Sequence, residues 1–266
     1  MFNKNLLIVL CATAVGKTHL AVQLAQTFNG EIISADSRQI FKGMDIGTGK
    51  DLSGYEVNGH KIPYHLIDIL AAGERYHVNA FKNDFYTAFE AIHERENLPI
   101  LCGGTGMYIH SLLQNHDLTA IPVNEELRLR LQSLNKTELQ YKLDGFSAEL
   151  RENVDYNSSK RLIRAIEIAD FLSENNYQPK EAPSLNPLVI GLFNDVDTRR
   201  AKILSRLDNR LSNGLIEEVQ ALLASGVSQE TLIFYGLEYK FVVAYLNNEI
   251  DFETLRERLG LSLIHI

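Results

Sequence analysis

Leu6-Leu-Ile-Val-Leu-Cys-Ala-Thr-Ala-Val-Gly-Lys-Thr-His-Leu-Ala-Val-Gln-Leu-Ala-Gln-Thr-Phe28 decides the fold. Its first five residues are an apolar run of strand length that stops at a loop of small residues, and from Lys17 onward Leu20, Leu24 and Phe28 recur at the spacing of one helix face. Strand, loop and helix in that order bring backbone N–H groups and the positive end of a helix dipole to one point, which suits an anionic phosphate. Residues 11–18 fit G-x-x-x-x-G-K-[ST] at every position but the first, where cysteine stands for glycine. In that pattern Cys11, Ala12, Thr13, Ala14, Val15 and Gly16 form the cradle, Lys17 neutralises phosphate oxygens and the Thr18 hydroxyl is a ligand for Mg²⁺. Cysteine is tolerated at the first position if φ is negative there, and clashes if the loop needs a left-handed residue. Such a loop implies a bound di- or triphosphate; kinase, nucleotidase and diphosphate-leaving transferase all remain open.

Outward from this unit, Glu31-Ile-Ile-Ser-Ala35 reads as a strand that ends at the polar cluster Asp36-Ser-Arg-Gln39. Phe81, Phe85, Ala88, Phe89 and Ile92 predict a helix, and Leu98-Pro-Ile-Leu-Cys102 a further strand running into Gly103-Gly-Thr-Gly106. Strands alternating with helices imply an α/β fold: a parallel sheet flanked by helices, like that of the P-loop NTPases. From about residue 114 to 186, helical patterns rich in Glu, Lys and Arg predominate, and the next strand is Pro187-Leu-Val-Ile-Gly-Leu-Phe193. The expected organisation is a first core part over 1–113, an inserted all-helical domain over 114–186, and a return to the core over 187–266. Helices then fill the chain to about Leu259, with a break at Ser212-Asn-Gly214.

Composition removes several classes. A chain of 266 residues with 45% hydrophobic and 23% charged residues can bury a core. No apolar run approaches the roughly 18 residues of a membrane span, and residues 6–10 are too short for a secretory segment. Two cysteines, Cys11 and Cys102, build neither a disulfide framework nor a cysteine-based zinc site, which suits the cytoplasm. The net charge of −8 argues against a protein that coats nucleic acid indiscriminately, although a local basic face can still meet phosphates. The stretch 125–165 has a slight excess of basic over acidic residues. The histidines show no HxxxH or HExxH spacing, so His19, His65, His93 and His110 read as packing or surface residues.

Residues 34–50 form a long polar loop where a strand exits, the place at which parallel α/β sheets hold their ligands. Asp36 is then expected to face the same cleft as Lys17. Taken alone it could be a metal ligand, a proton acceptor or a helix cap.

Six motifs in register resolve these alternatives: Ala-Thr-Ala-Val-Gly-Lys-Thr18, Ile-Ile-Ser-Ala-Asp-Ser-Arg-Gln39, Gly-Met-Asp-Ile-Gly-Thr48, Pro-Tyr-His-Leu-Ile-Asp-Ile69, Gly-Gly-Thr-Gly-Met-Tyr108 and Arg-Leu-Ile-Arg-Ala-Ile-Glu167. Together they resemble the tRNA dimethylallyltransferase family over about residues 6–259. The resemblance implies transfer of a dimethylallyl group from dimethylallyl diphosphate to N6 of the adenosine just 3′ of a tRNA anticodon, with Mg²⁺, by a cytoplasmic monomer. It further implies that Asp36 is the general base, that Thr105 orients substrate beside it, and that the loop of residues 11–18 holds the departing diphosphate. Ser37, Arg38 and Gln39, with Asp36 and Thr105, match a contact with the anticodon stem-loop. Lys160, Arg161 and Arg164 match a second contact and Arg128 a further one. Arg199, Lys202, Arg206 and Arg210 form one stripe; by resemblance Arg206 or Arg210 clamps the diphosphate, and Arg206 is preferred. Leu237 stands where the family has a tyrosine that contacts tRNA. Where the family continues past Arg258 into a basic helix, the chain reads Gly260-Leu-Ser-Leu-Ile-His-Ile266, which reads as a truncation or an unrelated ending, with the expectation that RNA binding is weaker than the family implies or that the chain is an incomplete version of an active protein. The alternatives weighed are a small-molecule kinase, a prenyltransferase for free adenine nucleotides, and a catalytically weakened tRNA-binding homologue.

Overall fold

The computed structural model describes residues 4–11, 15–114, 117–151, 154–178 and 181–265. They form two compact units, one of residues 1–113 with 183–266 and one of residues 114–182.

The first unit begins with β1 (Leu6–Cys11), α1 (Lys17–Phe28) and β2 (Gly30–Ala35). After the long loop come two-residue strands β3 (Glu56–Val57), β4 (His60–Lys61) and β5 (Tyr64–His65), then α2 (Val78–Glu94), β6 (Leu98–Gly103) and α3 (Gly106–Leu113). The second unit holds α4 (Glu125–Gln132), α5 (Lys136–Asp144) and α6 (Ser159–Glu174). The chain then returns as β7 (Pro187–Leu192), followed by α7 (Val196–Ser212), α8 (Leu215–Ala224), α9 (Gln229–Tyr235), α10 (Leu237–Leu246) and α11 (Phe252–Ile264).

The sheet is parallel, in the order β5-β2-β6-β1-β7. Because side chains alternate along a strand, β1 feeds two cores. Leu6 and Ile8 pack with Phe81, Phe85 and Phe89 of α2, whereas Leu7 and Val9 pack with Ala21, Val22 and Ala25 of α1. Cys11 is the last residue of β1 and pairs with Leu192. As an extended strand position it makes no demand for a left-handed glycine. The glycine that matters is Gly16, whose φ of 99° opens α1 in a left-handed conformation. Gly103 answers a different need: a Cβ there would run into the Ala35 backbone of the neighbouring strand.

A third core joins α8 to α11 through Leu215, Val219, Tyr239, Val243 and Leu255, and it includes Ile40, Phe41 and Met44 from the loop after β2. The C-terminal helices thus hold that loop in place. In the second unit Leu127, Leu131, Leu139, Leu143, Leu162 and Ile166 form a separate core. Asn135 caps α5 with a reciprocal capping box to Glu138, the sequence pattern that starts a helix without tertiary help.

Candidate active site

The loop after β2 is fixed at both ends. Asp36 Oδ1 accepts hydrogen bonds from the N–H groups of Arg38 (2.9 Å) and Gln39 (3.4 Å), an aspartate turn that leaves Oδ2 without a hydrogen bond among the described residues. The Thr105 N–H donates to the Ala35 carbonyl (3.0 Å), and its Oγ1 accepts from the Ser37 N–H (3.0 Å). Thr105 therefore ties the exit of β6 to the exit of β2, beside Asp36.

Further along, Glu218 holds the Gly-Met-Asp-Ile-Gly-Thr48 segment with one carboxylate. It accepts from the N–H groups of Asp45 (2.8 Å), Ile46 (2.6 Å) and Gly47 (3.0 Å), and from the Tyr239 hydroxyl (2.9 Å). The Lys50 side chain is 1% exposed and bonds Asp45, Asp68 and the Phe41 carbonyl, so it works as an internal pillar. None of the partners Glu218, Tyr239 and Asp68 carries a local sequence signal for this role.

These elements enclose a cavity of about 420 Å³ lined by Gly16, Lys17, Thr18, His19, Asp36, Arg38, Gln39, Asp51, Arg206 and Arg210, among others. Among the described residues Lys17 and Arg206 make no ion pair, whereas Arg210 donates to Glu238 (2.9 Å) and to the Gly47 carbonyl (3.1 Å). Burial, then the charge of Arg210, push Arg206 below the usual guanidinium range, although a guanidinium stays charged at neutral pH. An unpaired cation pressed into a cavity favours an anionic ligand. Of the stripe on α7, then, Arg206 and Arg210 both reach the cavity, and Arg206 is the one without a carboxylate. Gly49, at φ 64°, lies against both guanidiniums.

Other positions singled out in the sequence have work inside the protein. Arg38 lines the cavity, but its Nη2 donates to the Phe234 carbonyl (3.0 Å) and its guanidinium lies over the Phe234 and Tyr235 rings at 5.3 and 5.6 Å. Burial lowers its proton affinity, opposed first by the charge of Asp36. Arg128 is bidentate on Glu167 (2.8 and 2.7 Å), which is 2% exposed. Arg164 donates to the Ile121 carbonyl (2.6 Å) and approaches the same Glu167 at 3.4 Å. Arg161 pairs with Asp155 at 2.5 Å with its side chain 70% exposed, and Lys160 is exposed. Val15 is partly exposed beside Gly16, while Ala12, Thr13 and Ala14 lie outside the described residues.

No group of three or more His, Cys, Asp or Glu side chains converges on a metal position among the described residues. The ligand atoms on the cavity are nevertheless hard oxygens, the Thr18 hydroxyl and the Asp36 and Asp51 carboxylates. That set fits Mg²⁺, which keeps several waters and takes phosphate oxygens in preference to an all-protein cage.

The IPP transferase family model matches residues 39–263. The chain is 51% identical to tRNA dimethylallyltransferase 2 of Porphyromonas gingivalis over 247 residues, which is 93% of this chain and 82% of the relative. It is 46% identical to tRNA dimethylallyltransferase 2 of Bacteroides fragilis over 251 residues, 94% of this chain and 82% of that one. The crystal structure of the tRNA isopentenylpyrophosphate transferase of Bacillus halodurans superposes with a TM-score of 0.70 at 31% identity, covering 99% of this chain and 84% of the other. With the match running through the loop after β2, β6 and the arginine helix α7, the chain belongs to the IPP transferase family.

Proposed function

We propose that the protein transfers a dimethylallyl group from dimethylallyl diphosphate to N6 of the adenosine 3′-adjacent to a tRNA anticodon, releasing diphosphate. The observation that carries this reading is the meeting of Asp36, through its unused Oδ2, with the cations Lys17, Arg206 and Arg210 on one cavity. A kinase can use the same groups, a carboxylate beside phosphate-binding cations, so it is membership of the IPP transferase family that favours the transfer. An exocyclic adenine amine is a weak nucleophile that must lose a proton as its bond to carbon forms, which calls for a carboxylate beside the leaving group.

In the reaction, the bond from the allylic carbon to the diphosphate oxygen breaks and the N6–carbon bond forms. The departing electron pair goes out on diphosphate, and the N6 proton passes to Asp36 Oδ2. Lys17, Arg206 and the N–H groups at the start of α1 take up the leaving charge, with Arg210 behind them. Thr105, tied to Ser37, orients the acceptor. The Thr18 hydroxyl would hold Mg²⁺, which would supply further neutralisation of the leaving charge.

The target base must leave its stack in the anticodon loop, at a cost of a few kcal/mol, and single-stranded loops are where RNA sequence is readable. Ser37, Arg38 and Gln39 serve as the contact beside Asp36. In the helical unit, Lys160 and Arg161 are exposed for phosphate contact, while Arg128 and Arg164, further contacts by resemblance, also pair with Glu167. Incubation with tRNA, Mg²⁺ and dimethylallyl diphosphate, followed by nucleoside analysis, tests the proposal. It predicts isopentenyladenosine in tRNA. ATP consumption without RNA, prenylation of free adenine nucleotides in place of tRNA, or tRNA binding without product would each refute it.

A further inference from the structure

Tyr55 lines the cavity and has no task in the transfer. It closes the 3-10 turn Ser53–Tyr55, which is fixed by Asp51 Oδ1 accepting from the Ser53 hydroxyl (2.6 Å) and the Gly54 N–H (3.3 Å). The β3–β4 hairpin then locks the turn, with the Ile62 N–H donating to the Tyr55 carbonyl (2.8 Å). The residue is 6% exposed, packed in the core shared with Ala21 and Val22 of α1, and edge-on to Tyr64 at 5.0 Å. Its ring alone would satisfy this environment, and a phenylalanine would fill the same volume without desolvating a hydroxyl.

The hydroxyl makes no hydrogen bond among the described residues. Nor is it sealed: the buried polar atoms without a partner among the described residues are Arg151 Nε and Asn194 Nδ2. The surface that Tyr55 retains lies on the cavity it lines with Lys17, Thr18, Asp51 and Cys102. A buried donor without a partner, opening on a cavity whose other new guest is a diphosphate, has one obvious acceptor.

We propose that Tyr55 is a diphosphate-binding residue of the transfer, its phenolic O–H donating to an oxygen of the allylic diphosphate and of the released product. This rests on the transferase reading and adds to it a ligand that lies outside the phosphate loop. The proton stays on the phenol: burial first, then the nearby Cys102, Asp36 and acidic neighbours, raise its affinity far above the ordinary tyrosine range. The residue therefore acts as a neutral donor throughout and takes no part in proton transfer.

The test is Tyr55→Phe, which keeps the ring and its packing. Calorimetric titration with inorganic pyrophosphate in the presence of Mg²⁺ should show affinity about tenfold weaker than in the wild type, as for one donor lost from a charged acceptor. The KM for dimethylallyl diphosphate should rise alongside, with the KM for tRNA unmoved. Unchanged pyrophosphate affinity in a folded Tyr55→Phe protein overturns the inference while leaving the transferase reading intact. A wild type that takes up no pyrophosphate overturns both. As a second measurement in the unmutated fold, 3-fluorotyrosine at position 55 should shift its ¹⁹F resonance on pyrophosphate addition, and a resonance that does not move contradicts the proposal.

Discussion

Replacing Glu218 by alanine tests whether the cavity wall is held from behind. In the folded protein one carboxylate accepts three N–H groups, from Asp45, Ile46 and Gly47, and the Tyr239 hydroxyl. Two of these donors, on exposed Asp45 and half-buried Ile46, can turn to water. The other two cannot, since Gly47 is buried and Tyr239 is 1% exposed. Each buried donor left unpaired costs about 1–3 kcal/mol, so the substitution should destabilise the protein by about 2–6 kcal/mol. At about 2–4 °C per kcal/mol for a chain of this size, the melting midpoint should fall by at least roughly 4 °C. The damage should be local first: the amides of residues 45–47 should lose protection from hydrogen exchange, and the KM for dimethylallyl diphosphate should rise because the Gly47 carbonyl helps hold Arg210. Glu218→Gln, which keeps one acceptor, should fall between. A melting midpoint within about 2 °C of wild type, with the amides of 45–47 still protected, would refute the reasoning.

Three further outcomes follow from the same geometry. Arg206→Ala should weaken pyrophosphate binding by roughly 10- to 100-fold with little change in melting, since Arg206 has no ion-pair partner among the described residues, whereas Arg210→Ala should lower both because it strands Glu238; titration and melting of the two variants separate the cases. Gly49→Ala places a Cβ 2.8 Å from Arg206 Nη2 and in conflict with Arg210, at a φ of 64° that costs alanine about 1 kcal/mol, so the KM for the allylic diphosphate should rise severalfold while that for tRNA stays put. Glu31 is bidentate on Arg95 and also bonded by Asn97 and His65, and Arg95 first among these holds its carboxyl down at about 2. A carboxyl depressed in the folded state gives stability that is whole above about 4.5 and is lost as the pH falls toward 2. After screening at the half-exposed Arg95 this amounts to about 2 kcal/mol, so Glu31→Gln should flatten the acid limb of a melting-midpoint-against-pH profile.

Much of this architecture is legible in the sequence because it is local. The apolar runs at residues 6–10, 31–35, 98–102 and 187–193 lie within β1, β2, β6 and β7 or overlap them, and the Phe81-to-Ile92 spacing lies in α2. The strands missed, β3, β4 and β5, are two residues long, too short for any alternation to register. One signal for them was present: Asn58-Gly59, both at positive φ, is the two-residue turn of a tight hairpin. The helix expected to stop near Leu259 runs on to Ile264, since its only glycine, Gly260, packs against Leu204 without breaking it.

At the site, Asp36, Lys17, Arg206 and Arg210 were each readable as charged residues with a plausible chemistry. Their supports were not. Glu218 meets residues about 170 positions away, Lys50 reaches Asp68 across 18, and Arg38 meets Phe234 across 196. Such pairings have no period and no motif. The same is true of Arg128 and Arg164, which the resemblance assigns to tRNA contact and whose guanidiniums also meet the buried Glu167.

The central claim is that Asp36 removes the proton from the attacking amine while cations opposite take the diphosphate. Single-turnover transfer to tRNA by Asp36→Asn, with all sites filled, measures that step alone. The rate should fall by roughly 10²- to 10⁴-fold with tRNA and pyrophosphate affinities within about twofold of wild type. A rate close to wild type would mean that the proton leaves by another route and that the account of this cavity is wrong.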